Sequence, residues 1–452
     1  MIGKDELREL CNHIVKEGKS LGAEAIEVQA EGSKELESVI EMGQVSSVQM
    51  TSEVGIAIRV IIGKKIGSAF TNIPTKEATK EALELALAAA RATTDDDNWN
   101  SLPSISSSPS IDGLWNESVT KVEASKVAEL ATEIVDKATA LEPGLIAGFG
   151  GSGALDYVGS YANSNGVAHA EKGTVAYIYL AGVAPTETGM TPSVFEVDFS
   201  RGIELDIDRV VDEIVSTIRI VKNTSHGKSG KHTIVMHPSA YSQLMQFTLL
   251  QSIRGDNVAR GKSKIGDKLG ETIASEKITI IDDGTDPRGL NASEVDDEGT
   301  PRQRTPIIEK GVLRSFIWDH YWAQRMGVKS TGNARRNKRQ GLVEVATSNI
   351  VVEPGTRKVE DIISEIDYGY YIRGVQGAHS SNPESGDFSI VGNPAILIEK
   401  GKMIGAVHGL MVSGNIFDLL KQTVEVAKLQ RNMQTLIGPD IVFRDVDIIC
   451  KE

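Results

Sequence analysis

The sequence predicts an α+β protein with two lobes, an N-terminal helix and sheet domain followed by a β-rich C-terminal domain. One observation is length, because 452 residues exceed what one ordinary hydrophobic core supports. Another is the order of hydrophobic patterns within residues 1–92: a helical pattern comes first, alternating patterns typical of strands follow, and a second helical pattern comes last. Beyond residue 257, glycines and acidic turns separate strand-like runs, apart from a helix near 415–428.

The N-terminal α+β domain is predicted to span residues 1–92. Its first helix, residues 4–21, has an apolar stripe and ends at Gly22, which suits a left-handed cap. Alternating strands follow, with apolar residues at 26, 28 and 30 and again at 56, 58, 60 and 62. A helix rich in alanine and leucine, from Thr75 to Arg91, closes the domain.

Residues 93–116 are predicted to be a linker, since they are polar and contain two prolines. Residues 117–222 are predicted to hold the central helices and strands. Their first helix has a capping box, Thr120 with Glu123, and strand-like runs over 144–200 precede a helix at 205–221. The β-rich C-terminal domain, residues 223–452, is predicted to begin with a strand at 232–237.

Composition excludes several classes of function. The hydrophobic share of 40% and the charged share of 24% are typical of a globular protein. With Lys+Arg 48 against Asp+Glu 62, the net charge of −14 repels phosphate backbones and anionic membranes, so we expect no nucleic-acid and no membrane partner. No apolar run approaches transmembrane length and the start has no apolar signal core, so we expect a cytoplasmic protein.

Two cysteines occur, one near each end of the chain. Cys11 falls on the apolar face of the first helix and is predicted to be a buried small hydrophobe. Cys450 lies two residues from the end, and a disulfide between the two is not expected in a reducing cytoplasm.

The most informative segment is residues 239–256, which is predicted to be helical and ends in Gly255-Asp256. Leu244, Phe247 and Ile253 recur near helical spacing, and Pro238 supplies a start signal. Short blocks follow at Lys268-Leu-Gly270, Asp297-Glu298-Gly299, Glu309-Lys-Gly311 and Ser330-Thr-Gly332-Asn333. In this order and spacing, and with Gly377-Ala-His379 to Ser389 near the end, the chain resembles the TldD/PmbA family of metallopeptidase components, once described as DNA gyrase modulators.

Within that family, the resemblance implies that TldD-type chains carry His-Glu-x-x-x-His on this helix and that PmbA (TldE)-type chains do not. Here Gln246, Phe247 and Gln251 occupy the three motif positions. Neutral amides are poor zinc ligands, and a phenyl ring has no group that accepts a proton. The resemblance therefore implies a PmbA-like chain with no metal site of its own at these positions.

Two other patterns look like motifs but have simpler structural interpretations. His232 and His237 repeat the spacing of the missing motif, but a β-branched strand sends side chains an odd number apart to opposite faces. Gly148-Phe-Gly150-Gly-Ser-Gly153 fits G-x-G-x-x-G without the strand before it and the helix after it, so we predict a turn in a sheet.

Charged clusters are predicted to be solvated loops. The acidic turns, Asp282-Asp283-x-x-Asp286 and Glu294-x-Asp296-Asp297-Glu298, offer oxygen ligands for a hard cation but lack calcium-loop spacing. The basic run Arg335-Arg336-Asn-Lys338-Arg339 is predicted to be a loop that receives solvent or an acidic segment of a substrate or partner.

A polar, glycine-rich loop near the C-terminus is the predicted substrate-binding element. The resemblance places it near the peptide-binding cleft, and such loops present backbone donors to extended peptides. A purely architectural role for the loop remains open. The candidate residues are His379, Asn382, Asp387 and Phe388.

The resemblance implies a non-catalytic, PmbA/TldE-like subunit that pairs with a TldD-like zinc peptidase and helps to enclose an unfolded peptide. Zinc is then expected in the partner and no cofactor in this chain. One alternative is a self-contained metallopeptidase with dispersed ligands such as His320, His379, His408 and the acidic turns. Another is a homodimeric peptide-binding or regulatory module without a peptidase partner.

Overall fold

The structure is a computed structural model that describes residues 2–104, 106–187, 189–337 and 341–451. It confirms an α+β protein with two lobes. The chain passes from the first lobe to the second near residue 222. We call them the N-lobe and the C-lobe. None of the helices in the described part of the chain has the length and apolar character needed to cross a membrane.

The N-lobe contains one large sheet with helices on a single face. Its elements are α1 (Lys4–Ser20), β1 (Ala25–Glu41), β2 (Gln44–Ile62), β3 (Lys65–Thr71), α2 (Lys76–Ala92), α3 (Glu117–Thr120), α4 (Ala124–Leu141), β4 (Ile146–Asn163), β5 (Ala168–Val183), β6 (Pro185–Thr186), β7 (Gly189–Met190), β8 (Val194–Ser200) and α5 (Ile207–Val221).

The six-stranded N-lobe sheet is antiparallel, with the order β3-β2-β1-β4-β5-β8. Strand β1 pairs with β4 from Glu27 to Glu41, so chain segments on both sides of the predicted linker share this sheet. The sheet thus crosses the predicted division between residues 1–92 and 117–222, and those boundaries stay a prediction.

Alternation along β1 sorts its side chains between two environments. Ile26, Val28 and Ile40 are buried under the helices, against α1 and α2 at one end and α4 and α5 at the other. The odd-numbered side chains, including Glu27 and Glu35, point away from the helices because successive side chains alternate across a strand. This second face carries Glu27 and Glu35 towards the C-lobe, and on the first face α4 and α5 share a core with C-lobe residues such as Val235 and Tyr371.

The C-lobe is built mainly from strands, as predicted. Its elements are β9 (Gly230–Met236), α6 (Pro238–Gln246), α7 (Leu249–Ser252), α8 (Gly255–Ala259), β10 (Ile280–Asp283), β11 (Arg304–Glu309), β12 (Val312–Leu313), α9 (His320–Met326), β13 (Ala334–Asn337), β14 (Leu342–Val345), β15 (Ile350–Val352), α10 (Val359–Ser364), β16 (Tyr368–Ile372), β17 (Val375–Gln376), a 3-10 turn (Ala378–Ser380), β18 (Asp387–Gly392), β19 (Ala395–Glu399), β20 (Lys402–Ala406), β21 (Met411–Asn415), α11 (Ile416–Lys421), β22 (Thr423–Val426), β23 (Arg431–Asn432), β24 (Leu436–Gly438) and β25 (Ile441–Ile449).

Strand β9 lies inside a nine-stranded mixed sheet, between the parallel strand β16 and the antiparallel strand β25. A second sheet of six strands runs in the order β12-β11-β10-β15-β24-β23. Buried residues from both sheets, including Ile234, Ile280 and Ile350, form one apolar core with Leu244 of α6. The C-lobe core therefore fixes the position of α6.

Four local predictions are wrong. The helix predicted near 415–428 ends at Lys421, and β22 follows at Thr423–Val426. The predicted helix over 239–256 breaks into α6, α7 and α8, with Thr248 outside helical geometry at φ −130° and ψ −92°. The predicted cap at Thr120 falls in the short helix α3, and α4 begins after Glu123. The predicted turn at Gly148–Gly153 is the interior of β4.

The predictions for the first helix and the cysteines are confirmed. Helix α1 is followed by Gly22 in the left-handed region, at φ +98°. Both cysteines are buried free thiols, and burial raises the pKa of the Cys11 thiol to about 12. Cys450 contacts the hydroxyl of Tyr370, with 3.7 Å between Sγ and Oη.

Candidate functional site

Helix α6 forms one wall of a cleft between the lobes. Pro238 occupies its first turn, and the N-cap is His237, whose Nδ1 accepts a hydrogen bond from the backbone N–H of Ser239 at 3.2 Å. Burial, followed by the nearby arginines Arg373 and Arg431, holds the pKa of His237 well below its usual range. The imidazole is therefore neutral and has a lone pair available to cap the helix.

The exposed face of α6 is polar. Ser239, Ser242, Gln243 and Gln246 follow the i, i+3, i+4, i+7 spacing of one helix face, and all four line the cleft. The opposite face, with Leu244 and Met245, is buried in the C-lobe core. Gln246 is thus the one former motif position that reaches the cleft.

The other two motif positions point elsewhere. Phe247 is half-buried and packs against the C-lobe core. Gln251 lies in α7 and donates its Nε2 hydrogen to the backbone carbonyl of Gln246 at 3.0 Å. The three side chains consequently form no common ligand set. Cys450 is not among the residues that line the cleft beside Gln246.

Four aromatic rings on the N-lobe sheet form what we call the aromatic ladder; Tyr177, Tyr179 and Phe195 line the cleft, and Phe149 extends the ladder beyond the lining residues. Tyr177 and Tyr179 lie on β5, Phe195 on β8 and Phe149 on β4, with neighbouring ring centroids 6.2–6.3 Å apart. Phe149 is 53% exposed and Phe195 is 41% exposed. Apolar rings left this exposed mark a surface suited to binding.

The glycines of β4 make room for the ladder. A Cβ atom on Gly153 would lie 2.2 Å from Cζ of Tyr177, and one on Gly151 would lie 3.0 Å from the hydroxyl of Tyr179. The tyrosine rings therefore lie flat across this part of the sheet. The glycines of the G-x-G-x-x-G pattern thus leave the space that the aromatic side chains of β5 occupy.

The cleft has a volume of about 550 Å³. Its N-lobe side is formed by Glu35, Glu37 and the aromatic side chains, and its C-lobe side by α6 and residues 433–435. Gln434 lies in that C-lobe loop with φ +67°, an uncommon conformation for a residue other than glycine. The site therefore combines aromatic faces, two carboxylates and neutral amides, a chemistry that suits binding of an extended chain.

The predicted substrate-binding loop lies outside this cleft. His379, Asn382 and Asp387 are exposed, whereas Phe388 is 6% exposed and belongs to the C-lobe core. Asn382 accepts hydrogen bonds from the backbone N–H groups of Glu384 and Ser385, and Asp387 accepts from Asn415. None of the four lines the cleft, and their binding role stays a prediction.

The lobes are joined by a buried ionic cluster of Glu27, Arg59, Glu298 and Arg336, which we call the junction cluster. Glu27 of the N-lobe contacts Arg59 and Arg336 and accepts a hydrogen bond from the Tyr161 hydroxyl at 2.6 Å. Arg59 also contacts Glu298 at 3.0 Å. Burial alone would raise the pKa of Glu27, but Arg336 and Arg59 hold it at about 2.

The acidic turns are not solvated, which corrects the sequence-based prediction. Asp282, Asp296 and Glu298 are each at most 2% exposed. Asp296 accepts hydrogen bonds from the backbone N–H groups of Glu298, Thr300 and Ala334. Burial, and then the Glu298 carboxylate, raises the pKa of Asp296 to about 7. The turn is a packed structural element at the lobe junction.

The basic run is also placed differently from the prediction. Arg336 is 5% exposed and donates to the Glu27 carboxylate, while Arg335 is exposed. Lys338 and Arg339 lie outside the described residues. The Arg336 side chain contacts the Glu27 carboxylate of the N-lobe and the backbone carbonyl of Asp297 in the C-lobe. Because an isolated buried charge is costly, this pairing supports a role in folding.

A second ionic cluster behind the cleft also links the lobes. Glu196 and Glu213 of the N-lobe contact Arg373 and Arg431 of the C-lobe, and Arg431 also contacts Asp440 at 3.2 Å. Glu196 alternates on β8 with Phe195 and Val197, which face the cleft. These ion pairs thereby hold the aromatic strand against the C-lobe.

The histidines proposed as dispersed ligands do not converge. Nε2 of His320 lies 3.1 Å from the carbonyl oxygen of Ser101, and His379 and His408 are exposed. Within the described ranges, one group has the spacing of a metal site, namely His169, Glu171 and Glu294, with ligand atoms within 4.8 Å of one another. His232 packs on Tyr368 and Tyr370, whereas His237 faces Glu196 on the other side of β9, so the pair forms no site.

Comparison with known proteins fits this geometry. The family model for the PmbA/TldA metallopeptidase C-terminal domain matches residues 229–450, and the model for PmbA/TldA metallopeptidase domain 1 matches residues 26–92. The crystal structure of TldE from Thermococcus kodakarensis is 32% identical, with a TM-score of 0.93, and the match covers 97% of this chain and 99% of that chain.

Two curated relatives match over similar lengths. An uncharacterized protein of Methanocaldococcus jannaschii is 29% identical over 95% of this chain and 98% of its own. The metalloprotease PmbA homolog of Haemophilus influenzae is 24% identical over 96% of this chain and 94% of its own. The fold and these matches define a two-lobed protein of metallopeptidase descent. The chain belongs to the TldD/PmbA family and is PmbA/TldE-like.

Proposed function

We propose that this chain is the non-catalytic subunit of a TldD/TldE-type zinc peptidase and that its cleft holds part of an unfolded peptide. The observation that carries the proposal is the composition of the cleft wall at the motif positions. Gln246 faces the cleft with an amide, Phe247 packs into the core, and Gln251 bonds back to the chain. These groups supply neither zinc ligands nor a general base.

In this proposal the two kinds of subunit divide the work. A partner with the intact His-Glu-x-x-x-His motif binds zinc, which activates water for amide hydrolysis. This chain supplies the aromatic ladder and the polar face of α6, which hold an extended segment of the substrate. Apolar faces contribute affinity, and the glutamine amides can donate to and accept from a peptide backbone.

An open strand edge supports the assembly with a partner. Strand β3 pairs only with Ile56–Ile62 of β2, and on that side no strand of the described chain covers β2 between Gln44 and Gly55. This stretch has no proline or lysine, and its one charged residue is Glu53. Natural sheet edges are usually protected by such residues, so an unprotected edge favours pairing with another chain.

The proposal is tested by measuring peptide cleavage and zinc content for this chain alone, for a motif-bearing TldD-like chain alone, and for the mixture. We expect cleavage only where the motif-bearing chain is present and a marked gain on addition of this chain. Undiminished cleavage by the motif-bearing chain alone contradicts the proposal. Met50→Lys on the open edge is expected to weaken the complex, with Met42→Lys in the β1–β2 turn as the matched control.

A self-contained metallopeptidase remains the second candidate, because His169, Glu171 and Glu294 have metal-site spacing. Nε2 of His169 lies 3.3 Å from a Glu294 oxygen and 3.8 Å from a Glu171 oxygen. The Glu171 carboxylate already accepts hydrogen bonds from the Ser293 hydroxyl and from the backbone N–H of Glu294. The same three side chains therefore also fit a simple ion pair between His169 and the two glutamates, without a metal ion. One zinc per chain that is lost in His169→Ala, together with chelator-sensitive cleavage, would favour this candidate.

A homodimeric peptide-binding module is distinguished by the same preparations. Stable self-association in light scattering, peptide binding without cleavage, and no gain from any motif-bearing chain are its expected properties.

A further inference from the structure

The two carboxylates of the cleft have no cationic partner among the described residues, unlike Glu27 and Glu196 of the same lobe. Glu35 accepts a hydrogen bond from the Tyr177 hydroxyl at 2.8 Å, and Glu37 accepts one from Nε2 of Gln49 at 3.2 Å. Both are partly buried, and they are the only charged residues among the described ones that line the cleft. By contrast, Glu27 and Glu196 each contact two arginines.

The rings beside these carboxylates add a second attraction for a cation. Tyr177 and Tyr179 present their faces along the cleft next to Glu35 and Glu37. An ammonium or guanidinium group is attracted both by a carboxylate and by the face of an aromatic ring. Burial, and next the hydrogen bond to the Glu35 carboxylate, raises the pKa of Tyr177.

The opposite wall has no charge of its own that would oppose this preference. Its side chains are the hydroxyls and amides of α6, of Gln434 and of Thr435, together with the uncharged thioether of Met433. The net charge of −14 for the whole chain adds a long-range attraction for cations. An acidic peptide would meet Glu35 and Glu37 without compensation, and like charges in a partly desolvated cleft repel.

We propose that the cleft selects extended peptide segments that carry a lysine or arginine side chain. The cationic group lies at Glu35 and Glu37, and the methylene stem packs on the rings of Tyr177 and Tyr179. This inference rests on the proposed function and names the class of peptide that the site takes. It adds a preference by charge to a cleft whose other groups bind the backbone.

The test uses three labelled, unstructured peptides of equal length that differ at two central positions, which hold lysine, glutamine or glutamate. Binding to the full chain is measured by fluorescence anisotropy at low and at high salt. We expect the lysine peptide to bind at least tenfold more tightly than the glutamine peptide, and the glutamate peptide to bind most weakly. High salt should reduce the difference, because ion pairs at a partly exposed site are screened.

The variant Glu35→Gln with Glu37→Gln is expected to bind the lysine and glutamine peptides equally. Its matched control is Glu24→Gln with Glu41→Gln, which removes the same charge from exposed positions at the two ends of β1, outside this cleft and outside the open edge, and should keep the preference. If the double variant misfolds, Glu37→Gln alone still tests the proposal and should lower the preference severalfold.

The outcomes separate this inference from the proposed function. Equal binding of all three peptides overturns the preference for cations and leaves a peptide-binding cleft. If the Glu35→Gln/Glu37→Gln double variant and the Glu37→Gln single variant both keep the preference for the lysine peptide, the cationic group binds elsewhere. That result also overturns the inference. No binding of any peptide, with or without a motif-bearing partner chain, contradicts the proposed function as well.

Discussion

Glutamates on one face of strand β1 lie in two different environments, the lobe junction and the cleft. The comparison shows which of them stabilise the fold and which are available to a ligand. Near the start of the strand, Glu27 is fully buried and contacts two arginines at the lobe junction. Farther along the same face, Glu35 and Glu37 open into the cleft without a cationic partner among the described residues. The same residue type on the same face therefore stabilises the fold at one end and remains available to a ligand at the other.

The largest expected effect comes from breaking the junction cluster. Glu27→Gln leaves Arg59 and Arg336 with an uncompensated charge in a buried site, so we expect a loss of about 3–5 kcal/mol in the free energy of unfolding. Urea denaturation followed by circular dichroism measures it. Glu117→Gln, in an exposed pair with Lys121, is the control and should leave the midpoint nearly unchanged. An equally stable Glu27→Gln variant would contradict the structural role of the cluster.

The junction should also make stability depend on pH. Burial, and next the Glu298 carboxylate, raises the pKa of Asp319 to about 8. An unfolded aspartate has a pKa of about 4, so between about pH 4 and 8 the folded chain holds a proton that the unfolded chain has released. The contribution of this group to stability is therefore full below about pH 4 and is lost as the pH rises towards 8.

Asp319→Asn should remove this dependence. Asparagine retains an oxygen for the backbone N–H of Trp322, which Asp319 caps at 2.7 Å. We expect the variant to be more stable than the unmodified chain at pH 8, by up to about 5 kcal/mol, and nearly equal at pH 4. Thermal unfolding at several pH values checks the result, with the exposed Asp447→Asn as the control. A parallel pH profile for the two chains would contradict the prediction.

On the cleft side, disturbing the aromatic ladder should weaken binding more than folding. The new Cβ in Gly153→Ala would lie 2.2 Å from Cζ of Tyr177, so the ring must move. We expect about tenfold weaker binding of the lysine peptide, or about 1.4 kcal/mol. Gly159→Ala on the same strand, where the nearest atom is Cγ of Glu171 at 4.0 Å, should bind normally. Normal binding by both variants would show that the ladder does not contact the peptide.

The smallest expected effect compares two neighbouring motif positions. Gln246 is exposed in the cleft, so Gln246→Ala should change stability by about 0.5 kcal/mol or less. Phe247 packs against the core, and Phe247→Ala should cost about 2 kcal/mol. Differential scanning calorimetry of both variants measures the contrast. A larger loss for Gln246→Ala would show that its side chain supports the fold.

The sequence predicts well where a pattern depends on neighbours along the chain. The stripe of α1, the alternation of β1 and β2 and the helix predicted from Thr75 to Arg91 all arise from local periodicity and local hydrogen bonds. Helix 239–256 was predicted as continuous because its apolar spacing is helical, but the structure breaks it at Thr248. Leu249 and Leu250, which directly follow the break, are buried in the C-lobe core.

The acidic turns and the glycine-rich strand show why the rest was not predictable. Solvation is the usual state of Asp and Glu in glycine-rich loops, and only contacts with the other lobe bury Glu298 against Arg59. Likewise, only the partner strand β5 explains the glycines of β4, because Tyr177 and Tyr179 occupy the space that side chains there would fill. The alternation of Tyr177 and Tyr179 is visible in the sequence and indicates one face of a strand. Only the pairing register of β4 with β5 shows that these rings lie over Gly151 and Gly153.

By itself, the sequence determined the α+β class, the family resemblance and the absence of histidine and glutamate from the three motif positions. These properties follow from residue identity and short-range spacing. The tertiary structure decided which of those positions faces a cleft, which carboxylates of β1 are neutralised and where the aromatic ladder lies. These properties depend on residues more than a hundred positions apart, such as Glu27 with Arg336 and Glu35 with Tyr177. Only folding brings their charges and rings within contact distance.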